Sequence, residues 1–190
     1  MPKIFISYRR SDSEDVAHHI FERLKANFGK PNIFFDVDTI PYGIDFRGFL
    51  RREVQQCQVL IAIIGPGWLS TADSDGHRRI DNPADWVRIE IESALTRDIL
   101  VIPLLVQGAK LPRLNQLPDS LQALAYRNAA TIRTKGDFYP DMDRLVKQLQ
   151  QHFASLSPDP GVLQEPPGLI HFKQRKNQRR GVQRPCQFGW

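Results

Sequence analysis

Cysteine is nearly absent from this chain, with Cys57 and Cys186 the only two among 190 residues. Two thiols, no CxxC pair and no His/Cys cluster argue against a disulfide framework and against a zinc site, so no metal is expected. Long apolar runs are missing too. The longest, 59–64 and 99–106 (the latter containing Pro103), fall far short of a membrane span. The opening Met-Pro-Lys-Ile-Phe-Ile-Ser-Tyr-Arg-Arg lacks the apolar stretch of a secretory signal, so a cytoplasmic location is expected. The net charge of +5 is not distributed evenly either. Residues 155–190 hold six bases (Lys173, Arg175, Lys176, Arg179, Arg180, Arg184) against Asp159 and Glu165. Removing those six and two from the chain's 26 bases and 21 acids leaves 20 and 19, a net of +1. The basic character belongs to the tail and says little about what the remainder binds.

What is present is an alternation of two periodicities. Short apolar runs at 4–6, 33–35, 59–64 and 100–106, with a weaker one at 129–132, suit strands covered on both faces. Between them lie helical stripes: Val16, Ile20, Phe21 and Leu24; Phe46, Phe49, Leu50 and Val54; Val87, Ile91, Ala94 and Leu95; Met142, Leu145, Val146 and Leu149. Asp12 or Ser13 is placed to cap the first. Strand alternating with helix predicts a parallel sheet with right-handed crossovers. Five strands of this length fit a flavodoxin-like α/β domain in three layers, order 2-1-3-4-5, with ligands bound beyond the carboxyl ends of the strands. The pattern stops after Phe153, where Ser-Pro-Asp-Pro-Gly and Pro-Pro-Gly break any element. Residues 1–154 are therefore read as one domain, and 155–190 as a disordered basic tail or linker. A run such as Lys173–Arg184 binds nucleic acid non-specifically at most; a solvated tail is the simpler reading, and no specific nucleic-acid partner is expected.

Several chemistries use this architecture, and the strand ends narrow them. The first strand ends in Tyr8-Arg9-Arg10 and the third in Gly65-Pro66-Gly67, so the carboxylates of a metal-dependent phosphoacceptor site are missing. Neither GxGxxG nor GxxxxGK[ST] occurs, which excludes the usual dinucleotide fingerprint and the P-loop. Four other segments are distinctive. They are Lys3-Ile-Phe-Ile-Ser-Tyr-Arg-Arg10 followed by Asp12, Asp36-Val-Asp-Thr-Ile-Pro-Tyr-Gly-Ile-Asp-Phe46, Ile64-Gly-Pro-Gly-Trp68, and Asp85-Trp-Val-Arg-Ile-Glu90. In this order and spacing, over about four fifths of the chain, they resemble the boxes of TIR domains, the Toll/interleukin-1 receptor/resistance-protein family, in its bacterial-type, NAD-cleaving branch.

That resemblance implies cleavage of the bond between nicotinamide and ribose, with NAD⁺ as substrate and no cofactor. Glu90 matches the family's catalytic carboxylate. From spacing alone it is either that group, partly buried at a cleft rim beside Val87 and Ile91, or a solvated surface acid. Glu92, four residues from Arg88 on another face, reads as an exposed salt-bridge partner. Arg9 and Arg10 reach the ligand end of the sheet, where guanidinium suits a pyrophosphate, or they are solvated. Tyr8 either offers an aromatic face and hydroxyl to the ligand or is half-buried core. In the loop 38–46, Asp38 either bonds a ribose or caps the turn, and Gly43 permits positive φ or a close approach. Phe46 either borders the site or staples the next helix. Trp86, one turn before Glu90, either stacks on nicotinamide or adenine or anchors its helix. His18, His19 and His77 read as surface residues. The family also contains non-catalytic modules that signal by TIR–TIR association through this loop, so self-association is expected with or without catalysis. The product would be ADP-ribose or a cyclic isomer, according to how water is excluded.

Overall fold

Alternation along the apolar runs sends neighbouring side chains to opposite faces of a single sheet, and this divides the interior into two cores. The computed structural model describes residues 3–35, 43, 45–134 and 136–156, leaving aside the side chains of 46 and 47. The elements run β1 (Ile4–Ser7), α1 (Arg10–Phe28), β2 (Ile33–Phe34), α2 (Phe46–Gln56), β3 (Val59–Ile64), α3 (Trp86–Thr96), β4 (Leu100–Val106), β5 (Ala130–Ile132) and α4 (Phe138–Leu156). The strands pair in the order β2-β1-β3-β4-β5, all parallel. Ile4, Ile6, Ile61, Ile63, Leu104 and Val106 face α1 and α4. Phe5, Leu60, Ala62, Ile64 and Val101 face α2 and α3. Burial on both faces explains why β3 is apolar at every position. This is the flavodoxin-like three-layer fold.

The link from β4 to β5 has no α-helix among the described residues. It runs through the 3₁₀ turns Leu114–Gln116 and Asp119–Tyr126, which bury Leu117, Leu121 and Leu124 against α3 and its neighbours. Irregular geometry of this kind leaves no 3.6-residue period to read from sequence. At the other edge of the fold, Asp141 of α4 accepts hydrogen bonds from the backbone and guanidinium of Arg133, which follows β5. Those bonds hold its carboxyl down at about 2.

The expected cap of α1 is corrected. The helix begins earlier, at Arg10, and the side chain of Arg9 before it makes no capping hydrogen bond to the helix. Asp12 therefore lies inside the first turn, and Ser13 sits at a kink (φ −144°, ψ 23°). The Asp12 carboxylate instead accepts the amides of Gly65 at 3.0 Å and Gly67 at 2.6 Å. It thereby ties the exit of β3 to the start of α1. A Cβ on Gly65 would lie 2.4 Å from Asp12 Oδ2, which is why glycine stands there.

The described part of α4 extends to Leu156, and the chain divides into units Met1–Ser157 and Pro158–Trp190. The second unit, including the basic run, lies outside the described residues. No helix among the described residues is long and apolar enough to cross a membrane.

Candidate active site

The carboxyl ends of β1 and β2 meet the N-terminal turns of α3 around a cavity of about 340 Å³. Such a volume suits a small-molecule site. Two chain segments supply most of its walls: Tyr8, Arg9 and Arg10 leaving β1, and Trp86, Val87 and Glu90 of α3. Phe5 and Ile6 of β1, Ser11 of α1, Phe34 of β2 and Arg79 of the loop after β3 complete it.

Glu90 is buried rather than placed at a rim, with 7% of its surface exposed. Ser7, the last residue of β1, donates its hydroxyl to Glu90 Oε2 at 2.5 Å. Burial pushes the carboxyl up to about 8, and the nearby Asp85 charge adds to this. The Ser7 hydrogen bond and the Arg9 charge oppose it without overcoming it. A carboxyl raised this far and facing a cavity marks a candidate functional group.

Beneath Glu90 lies a buried ion pair. Arg9 NH1 and NH2 donate to the two oxygens of Asp85, each at 3.0 Å, and Arg9 Nε donates to the Trp68 carbonyl at 3.0 Å. All three nitrogens of the Arg9 guanidinium are thus engaged inside the protein, and the residue is only 3% exposed. Arg9 lines the cavity and, through these bonds, braces its wall. Asp85 also caps α3 by accepting the Arg88 amide at 3.0 Å. One carboxylate thereby starts the helix that carries Glu90 and joins it to the end of β1. Arg10, the first residue of α1, is exposed.

Tyr8 is half-buried, stacks on Phe35 with ring centroids 5.2 Å apart, and lines the cavity. Trp86 likewise packs against the core on the α2/α3 side while facing the cavity. Gly43 has φ +85° with nothing within 4 Å of where a Cβ would lie, so backbone conformation and not space accounts for glycine there. Asp38 and the side chain of Phe46 lie outside the described residues, although Phe46 opens α2. Glu92 pairs with Arg88 at 2.6 Å, away from the cavity. His18 and His19 are exposed on α1.

Three contributors escaped the sequence reading. Ser7 had its signal in the first box, since a polar residue ending a buried strand needs a partner. Asp85 had the signature of an N-cap. Arg79 had none, because a loop residue 11 positions before Glu90 has no periodic relation to it. A metal is a separate matter. Asp73, Asp75 and His77 bring one ligand atom each within 4.8 Å of one another. Asp73 Oδ1, however, already accepts the amides of Asp75 and His77, as an ordinary polar turn does.

A stretch of 125 residues, 66% of this chain, is 26% identical to the NAD(+) hydrolase sarm1 of Drosophila melanogaster, of which it spans 9%. The TIR domains of the activated Roq1 resistosome, which directly recognizes the pathogen effector XopQ, superpose with a TM-score of 0.55 at 12% identity. That match covers 80% of this chain and 99% of the other, and it shows the shared fold. The TIR-domain family model matches residues 4–156, and the chain belongs to the TIR-domain family.

Proposed function

We propose that this chain cleaves NAD⁺ between nicotinamide and ribose, with Glu90 as the decisive carboxylate. The observation that carries the reading is Glu90 itself: buried, held by Ser7, and open to a cavity lined by four aromatic residues and three arginines. The named activity of the Drosophila relative supports it.

The chemistry needs little more. Nicotinamide leaves as a neutral group, so no general acid is required, unlike ordinary glycoside hydrolysis with its two carboxylates. One carboxylate stabilises the positive charge that develops on the ribose. The pyridinium of a bound substrate draws Glu90 towards its ionised form, so that the charge is present where the reaction needs it. Tyr8 and Trp86 supply faces for ring stacking, and Arg10 reaches the pyrophosphate. Asp38, Gly43 and Phe46 belong to the loop that borders the ribose. Water admitted to the site gives ADP-ribose, and its exclusion gives a cyclic isomer.

We further propose self-association through TIR–TIR contacts, in cytoplasmic signalling or defence. The named assembly of the Roq1 TIR domains supports this part. A TIR module that only associates is the competing reading. One experiment separates them: chromatographic detection of nicotinamide from NAD⁺ with concentrated full chain, with Glu90→Ala alongside. Release by the wild type alone supports the enzyme. No release by folded, assembled wild type leaves the scaffold, and release by a folded Glu90→Ala variant removes Glu90 from the chemistry.

A further inference from the structure

Arg79 stands in the loop between β3 and α3, on a backbone that is firmly held. It opens the 3₁₀ turn Arg79–Asp81, whose middle residue, Ile80, is fully buried. Its amide donates to the Thr71 carbonyl at 2.9 Å, and the preceding Arg78 forms an isolated antiparallel bridge with Ala72. This anchoring brings the Arg79 side chain to the cavity that holds Glu90.

Its local partner does not account for it. Arg79 Nε lies 3.2 Å from Asp85 Oδ2, a carboxylate whose charge Arg9 already matches through two 3.0 Å bonds. Asp85 therefore needs no second cation. The Arg79 side chain is 42% exposed, with its Nε against Asp85. The outer edge of the guanidinium, with two parallel donors, is the edge that matches a phosphate. Arg10 and Arg79 both line this cavity with Glu90, from two separate segments of the chain.

We infer that Arg79 binds a phosphate oxygen of the substrate's pyrophosphate and makes the site selective for phosphorylated nucleotides over nucleosides. The inference rests on the reading of this cavity as a nucleotide site and adds a specificity residue to it. Nε on Asp85 sets the angle of the guanidinium in advance, so little side-chain freedom is lost when the ligand arrives.

The test measures binding by calorimetry on the full chain, with ADP and adenosine as probes, for wild type, Arg79→Gln and Arg79→Lys. Wild type is expected to bind ADP more tightly than adenosine. Arg79→Gln should lose about tenfold or more in ADP affinity, and Arg79→Lys should recover part of it. Adenosine affinity should change much less than ADP affinity, because a purely structural role would lower both together. Equal ADP binding by wild type and Arg79→Gln overturns the proposal, and so does an equal loss for the two probes. A wild type that binds ADP no better than adenosine overturns it as well. Nicotinamide release, measured on the same preparations, keeps the two readings apart. Release by wild type with an unchanged KM in Arg79→Gln overturns the role of Arg79 and leaves the hydrolase standing. ADP binding that depends on Arg79, without any release, does the reverse.

Discussion

Ser7 and Glu90, 83 residues apart, share a 2.5 Å hydrogen bond that joins the end of β1 to the second turn of α3. Among the described residues Ser7 is the only hydrogen-bond partner of this carboxylate. It fixes the direction of the group and is the largest influence favouring its ionised form.

The first consequence is a pH dependence. In the proposed reaction Glu90 acts in its ionised form, and burial raises its pKa to about 8. The rate constant kcat/KM for nicotinamide release should therefore fall as pH drops below about 8. Ser7→Ala removes a bond to the ionised form, so it should move that limb to higher pH. A profile flat between pH 6 and 9 would contradict the assignment.

The same burial costs stability. A carboxyl raised from 4.5 to about 8 on folding leaves stability intact below pH 4.5, and stability is then lost as pH rises towards 8. Glu90→Gln escapes the loss, and its amide oxygen still accepts from Ser7. In urea unfolding the variant should exceed wild type at pH 8 by up to a few kcal/mol, and the gap should close near pH 4. A variant less stable than wild type at pH 8 would show that burial is not what raises this group.

Asp85→Asn tests the brace beneath the site. Asparagine still caps a helix, so the N-terminus of α3 loses little. What is lost is the charge opposite buried Arg9, and such a loss costs about 3–5 kcal/mol. Thermal unfolding reads it directly. A cost within about 1 kcal/mol would mean that Arg9 finds solvent or another acceptor.

Gly65→Ala should displace the Asp12 carboxylate, because the new Cβ would lie 2.4 Å from Oδ2. Both amide bonds made by Asp12 would then weaken. Asp12→Ala removes the same bonds from the other side. Each single change should cost about 1–3 kcal/mol, and the double variant should fall short of their sum by about 1 kcal/mol. Strict additivity in a double-mutant cycle would deny the coupling.

The sequence by itself determined the sheet, its strand order and the helix that carries Glu90. Strands buried on both faces must be apolar throughout, helices must show a stripe, and parallel crossovers have one hand. Those requirements are local, so residues such as Val59–Ile64 or Met142 and Leu145 state them directly. Tertiary structure decided the rest. That Arg9 turns inward to Asp85 while Arg10 stays exposed cannot be read from two adjacent arginines, because the outcome depends on a carboxylate 76 residues away. That Asp12 serves Gly65 and Gly67 instead of its own helix was hidden for the same reason. Nor does any period in the chain announce the 3₁₀ turns after β4 or the arrival of Arg79 at the cavity. Periodicity reports which face of an element is buried, whereas ion pairs and hydrogen bonds between elements depend on which side chains the fold brings within about 3 Å of one another.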